Sequence, residues 1–252
     1  MRKIIIANWK MNLSPIASAE LAHDLAKALN NDVLEERDVV LAPSISALTL
    51  VAETVKKEEI ALSAQDIFWE DRGSFTGCES PRFLREAGCR YAIVGHSERR
   101  QNLGETDEMV HLKLKAALSA GLTPILCVGE TYEERREGQT GNVLLRQVQS
   151  ALQGVDFLAS EHLVVAYEPV WVIGLGQAIE PAEAEEAFRI IWQQIIDNMP
   201  MAIAKSNVRI IYGGSVDSSN AGDFVPLDHF AGFLVGGASL KIKEFSSIIK
   251  IC

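Results

Sequence analysis

Eight short stretches of the chain are almost wholly apolar and rich in β-branched residues: Lys3–Asn8, Val39–Pro43, Ile60–Asp66, Tyr91–Gly95, Thr123–Gly129, Leu163–Pro169, Val208–Gly214 and His229–Gly237. Their hydrophobicity is nearly continuous and does not alternate, which predicts strands covered on both faces, as in a parallel sheet. Helical patterns separate them. Ser14-Pro15 reads as an N-cap followed by a first-turn proline, and Leu21, Leu25 and Leu29 then recur every fourth residue. Thr106 can cap a helix with Asp107 and Glu108 in its first turn, stopping at Gly121. Glu180-Pro181 opens another, with Phe188, Ile191, Trp192 and Ile195 as its buried stripe. The run Glu133–Glu137 reads as a solvated helix surface. Each interval between strand ends holds one strand and one helix, and no linker or composition shift divides the chain. Eight β-then-α units predict one closed (β/α)8 barrel over residues 1–252, with an open doubly wound sheet as the alternative.

Composition narrows the class. The chain has 252 residues, 48% of them hydrophobic and 23% charged, enough for a large buried core. Its net charge of −10 opposes binding to nucleic acid or anionic membrane, so any phosphate must be caught by a local site. No window approaches a membrane span, and the apolar run after Met1 is too short for a signal-peptide core. Cys78, Cys89, Cys127 and Cys252 form no C-x-x-C pair and no zinc or disulfide framework. Free thiols in the cytoplasm are therefore expected.

In a barrel of this kind the reactive groups sit on the loops after the strands. Those positions hold Asn8 and Lys10, Gln65 and Asp66, His96 and Glu98, Glu130, Glu168, Gly213-Gly214-Ser215 and Gly236-Gly237. The two glycine turns lie in the final two loops, where backbone N–H groups can converge on a phosphate; a tight turn alone would also explain either one. Glu168 ends an apolar strand, and Pro169 fixes the chain after it. An apolar body follows, then Gly174 and Gly176, which has the form of a short lid. Apolar closure would desolvate Glu168 and strengthen it as a base toward a C–H proton; a capping or salt-bridged carboxylate is the structural alternative. His96, at the start of a helical turn, is favoured as a neutral imidazole able to donate to a carbonyl that gains charge. Lys10 offers positive charge to a developing oxyanion, or is a surface lysine. No metal-ligand spacing surrounds His96. A base, a neutral electrophile, a cation, a phosphate cradle and a lid together suit removal of a proton α to a carbonyl in a small phosphorylated substrate. The product is an enediolate, which needs no cofactor and must be kept from water because it eliminates phosphate.

These motifs resemble the triosephosphate isomerase family over essentially the whole chain. The resemblance is carried by Asn8-Trp9-Lys10-Met11-Asn12, Ser63-Ala64-Gln65-Asp66, Phe75-Thr76-Gly77, residues 94–100 (Val-Gly-His-Ser-Glu-Arg-Arg), Cys127-Val128-Gly129-Glu130-Thr131, Ala166-Tyr167-Glu168-Pro169-Val170-Trp171, Tyr212-Gly213-Gly214-Ser215-Val216 and residues 232–240. It implies a (β/α)8 TIM barrel that interconverts D-glyceraldehyde 3-phosphate and dihydroxyacetone phosphate in glycolysis and gluconeogenesis, without cofactor or metal. It implies Glu168 as base, His96 as electrophile, Lys10 with Asn8 as anchor, and Glu98 as a supporting acid. Ser97 would hold Glu168 while the site is open. Asn8, Trp9, Lys10, Gly174, Ser215, Gly236 and Gly237 would contact substrate and its phosphate. Pro169, Val170, Trp171, Val172, Ile173, Gly174, Leu175 and Gly176 would form the lid, with Ile173 and Leu234 clamping the base. A homodimer is implied, joined by the loop around Gln65–Glu79 with Phe75, Thr76 and Gly77. The chain departs from the family's common pattern at Leu175 and Val172 in the lid, at Cys78, and at Ser63, Gln177 and Ala231; none of these is the base, electrophile or cation.

Overall fold

The computed structural model describes residues 2–29, 31–174 and 177–252, without the side chains of Asn31 and Asp32. Its eight strands are β1 (Lys3–Asn8), β2 (Arg37–Ala42), β3 (Ile60–Ala64), β4 (Cys89–Val94), β5 (Thr123–Val128), β6 (Leu163–Tyr167), β7 (Val208–Tyr212) and β8 (Phe230–Val235). They are parallel and close in sequence order, β8 returning to β1 with Ile5 opposite Phe233. That last pairing excludes the open sheet, which would leave two edges unpaired. The expected runs overshoot at their ends because Glu168-Pro169, Gly213-Gly214 and Gly236-Gly237 are apolar-flanked but already belong to loops.

Alternation along each strand separates two cores. Ile4, Ile6, Val40, Ala42, Ile93, Ile125, Cys127, Val164, Ala166, Ile211 and Leu234 fill the barrel, and a larger cluster including Ile5, Leu41, Val165 and Phe233 packs between barrel and helices. Both faces are thus apolar, which is why the runs do not alternate in sequence. The same period of two carries the inward direction from Ile6 to Asn8, from Ala166 to Glu168, from Ile211 to Gly213 and from Leu234 to Gly236. The residues at the C-terminal mouth therefore inherit the direction of the barrel core.

Local signals held for the helices. Ser14 Oγ accepts the Ala17 N–H at 3.2 Å and starts Pro15–Ala28, while Thr106 Oγ1 accepts the Met109 N–H at 3.2 Å and starts Asp107–Ser119. Helix Pro181–Asn198 buries Phe188, Ile191 and Ile195; Trp192 is only half-buried and stacks on His229 with ring centroids 4.9 Å apart. One expectation fails. Gly213-Gly214-Ser215 does not lead into an α-helix: among the described residues only the 3-10 turn Ala221–Asp223 lies between β7 and β8. The polar stretch there uses Asp217 to hold the Ser219 N–H and hydroxyl, forming a turn instead.

Candidate active site

A cavity of about 550 Å³ opens at the C-terminal mouth of the barrel, lined by Asn8, Lys10, His96, Glu168 and Leu234 with Ile173, Gly174, Ser215, Gly236 and Gly237. Glu168 lies against it almost wholly buried, at 2% exposure. Two neighbours make room for it by lacking side chains. A Cβ at Gly129 would sit 1.8 Å from the Glu168 carbonyl oxygen, and one at Gly213 would sit 2.9 Å from Glu168 Cγ.

The carboxylate is held on one side only. Its Oε2 accepts the backbone N–H of Ser97 at 2.9 Å, whereas Oε1 accepts no hydrogen bond and lies 3.2 Å from His96 Nε2. His96 caps the helix Ser97–Leu103, and its Nδ1 accepts the Glu98 N–H at 3.2 Å. A nitrogen that accepts carries no proton, so the imidazole is neutral with its hydrogen on Nε2, on the cavity wall. The helix start therefore fixes the tautomer.

Lys10 completes the row. Its Nζ donates to Glu98 Oε1 at 2.6 Å, and a Cβ at Gly236 would lie 3.7 Å from that nitrogen, so the ammonium stands beside the last glycine turn. Lys10 has φ 51°, a left-handed conformation that costs a residue with a Cβ about 1–3 kcal/mol. The surroundings hold it there: Asn8 Oδ1 accepts the Lys10 N–H at 3.1 Å, and Gln65 Nε2 donates to the Lys10 carbonyl at 2.9 Å. Asn8 is thereby a brace for Lys10 as well as part of the lining. Trp9 is a correction: its indole is 1% exposed in the hydrophobic core and is not part of the cavity wall. The intervening residue of a motif need not share its direction.

The start of the loop after β6 is anchored by contacts that no sequence motif singled out. Trp171 Nε1 donates to Glu130 Oε1 at 2.9 Å, the Tyr167 hydroxyl donates to the same carboxylate at 3.2 Å, and the Arg135 guanidinium stacks 4.0 Å from the Trp171 ring centre. Burial pushes the Glu130 carboxyl above its usual range, against the opposing pull of the Trp171 and Tyr167 hydrogen bonds. Arg135 sits in the run read as solvated surface, but it also pairs with Glu183. The Thr131–Glu134 capping box, which starts that helix one residue after Glu130, was the available signal. At the far end of the lid, the Ile179 N–H reaches the Tyr212 hydroxyl at 3.4 Å. Leu175 and Gly176 lie outside the described residues. Cys127 is buried beside the site, and burial followed by the neighbouring Glu168 charge pushes its thiol far up.

A buried carboxylate against a neutral imidazole and an anchored lysine, at the mouth of a (β/α)8 barrel, defines an enzyme of the acid–base type. The sequence model of one family, described as triosephosphate isomerase, matches residues 3–252. Among curated relatives, the triosephosphate isomerase of Syntrophotalea carbinolica is 44% identical over 249 residues, covering 99% of this chain and 98% of the relative. That of Chlorobium phaeovibrioides is 44% identical with the same coverage. That of Dictyoglomus thermophilum is 40% identical and covers 99% of each chain. The chain belongs to the triosephosphate isomerase family, and with it to the isomerases.

Proposed function

We propose that the chain interconverts D-glyceraldehyde 3-phosphate and dihydroxyacetone phosphate, within glycolysis and gluconeogenesis. Glu168 removes the proton from the carbon next to the carbonyl and returns it to the neighbouring carbon. The Nε2–H of His96 donates to the oxygen that becomes negative, and Lys10 stabilises that charge. Glu98 keeps Lys10 in place through their 2.6 Å contact. Ser97 holds Glu168 back through its N–H until substrate displaces it. Ser215, Gly174, Gly236 and Gly237 take the phosphate by their backbone groups, and Ile173 and Leu234 dry the base as the lid of residues 169–176 closes.

The observation that carries this reading is the 3.2 Å approach of a neutral imidazole to a buried carboxylate oxygen that accepts no hydrogen bond, on the wall of a cavity large enough for a triose phosphate. So arranged, the carboxylate can carry one proton between two adjacent carbons while the imidazole moves the hydroxyl proton from one of their oxygens to the other, and the proton inventory closes without a redox partner. A coupled assay with glyceraldehyde 3-phosphate tests it: turnover to dihydroxyacetone phosphate is expected, and its absence in folded protein would discard the reading.

The assembly supported here is a homodimer. Met11 (95% exposed), Leu103 (66%) and Ile45 (51%) line a second cavity of about 470 Å³ bounded by Gln65–Trp69 and Gly77–Glu79, an apolar surface that a second copy's Phe75-Thr76-Gly77 loop would cover. No described helix is long and apolar enough to cross a membrane. The four free thiols and the proposed glycolytic substrate support a cytoplasmic location.

A further inference from the structure

The cavity wall carries a charge that the reaction above does not use. Asp217, Lys241 and Glu244 all line it, on the loops that follow β7 and β8. Both carboxylates are committed locally. Asp217 Oδ1 accepts the Ser219 N–H at 2.8 Å and its hydroxyl at 2.6 Å, and Glu244 Oε2 accepts the Ser218 hydroxyl at 2.8 Å and its N–H at 3.2 Å. Lys241 is different. Its backbone is fixed, the N–H donating to Ala238 at 3.2 Å and the carbonyl accepting from Phe245 at 2.9 Å. Its side chain is exposed and has no ion pair with any described residue. The other lysine of the cavity, Lys10, is tied to Glu98. Lys241 is thus a cation held at the rim by its backbone, four residues past Gly237, with its charge uncommitted.

We propose that Lys241 is a specificity-determining residue for the phosphate group: it draws the dianion to the mouth and passes it to the backbone groups of Ser215, Gly236 and Gly237. This rests on the reading that the substrate is phosphorylated. The need is physical. A chain of net charge −10 repels a phosphate at long range, and the cavity adds the buried carboxylate of Glu168. Asp217 and Glu244 keep their charge on the same wall, so one unpaired cation at the rim of this concave site offsets part of the local repulsion and raises the encounter rate. Because Lys241 is exposed, its influence is screened within about 8 Å at physiological salt and acts on capture, not on the chemical step.

The test compares Lys241→Gln and Lys241→Arg with Lys243→Gln, which removes the same charge two residues further along, outside the cavity. For each protein, kcat/KM for glyceraldehyde 3-phosphate is measured from low to high ionic strength, and inorganic phosphate is titrated as a binding probe. Lys241→Gln is expected to lose about five- to tenfold in kcat/KM at low salt, chiefly through KM, with phosphate affinity falling in parallel. Added salt should close the gap, and arginine should restore most of the loss. Equal losses in Lys241→Gln and Lys243→Gln would assign the effect to net charge and overturn the proposal, as would a loss that salt does not change, or none. Failure of the wild type to isomerise the substrate would instead end the parent reading; the phosphate titration would still decide whether Lys241 holds an anion.

Discussion

Glu168, the proposed base, has one carboxylate oxygen on the Ser97 N–H and the other 3.2 Å from His96 Nε2. Glu168→Gln keeps the shape and the Ser97 contact but removes the basic oxygen pair. Turnover should fall by about 10²–10⁴ while thermal unfolding stays near that of the wild type; an isomerisation rate within a few-fold of normal would take Glu168 out of the mechanism. The thiols are also decided residue by residue. Burial pushes Cys89 up to about 12 and Cys252 up to about 11, and drives Cys127 far up, whereas Cys78 is exposed on its loop. Because thiolate is the reactive form, a maleimide at mildly alkaline pH should label Cys78 alone in the folded single chain, such as the Thr76→Glu monomer, and the other three only on unfolding. Mass mapping of the labelled peptides would show it.

Two elements join parts of the site that no single residue could hold. The loop after β6 is pinned at Trp171 by Glu130 and at Ile179 by Tyr212. Shortening it within Val172–Gly174 should leave the base and electrophile in place but admit water, so that a larger share of substrate is lost as methylglyoxal and free phosphate. Unchanged partitioning between the two products would mean that some other element excludes water. The second element is helix Asp107–Ser119, whose buried Lys113 donates to Asp66 at 2.6 Å and Glu105 at 3.0 Å, with Arg99 reaching both carboxylates. Burial raises the Asp66 carboxyl above its usual range, outweighing the pull of Lys113. Burial also acts upward on Glu105, but Lys113 and Arg99 together outweigh it and hold that carboxyl low. Glu105 therefore stabilises the fold fully above the ordinary carboxylate value of 4.5 and loses that contribution as pH falls through its depressed value, while Asp66 is relieved by acid and strained as pH rises. Lys113→Met should cost about 3–5 kcal/mol in urea unfolding at neutral pH, because it strands buried charge, and the cost should shrink in acid as both carboxyls take protons. A cost independent of pH would show that packing, not charge, is what Lys113 provides.

At the scale of the whole molecule, the exposed apolar residues Met11, Ile45 and Leu103 beside one cavity motivate the proposed dimer. Size-exclusion with light scattering should give a dimer, and Thr76→Glu, which places charge in the docking loop, should give a monomer with reduced turnover. A wild-type monomer would refute the assembly. The proposed dimer would bear on the site, since Gln65, at the root of that loop, donates to the Lys10 carbonyl and helps keep its left-handed backbone.

The element order, the caps at Ser14 and Thr106, and the residues that end the strands at the barrel mouth were all legible along the chain. Hydrophobic period, capping and turn chemistry are local, and a strand that ends in Glu168 or Gly213-Gly214 announces itself without its neighbours. What local patterns could not express was direction and partnership. Trp9 lies between Asn8 and Lys10 yet turns into the core, Arg135 leaves a charged surface run to cover Trp171, and the segment after Ser215 turns back without a helix. Lys10 meets Glu98 across 88 residues and Glu168 meets His96 across the barrel mouth only because β8 pairs back onto β1 and the inward period of every strand then converges on one axis. The chain order selected the groups; closure of the ring brought them within 3.2 Å, because register between distant strands is a property of the finished sheet and of no segment in it.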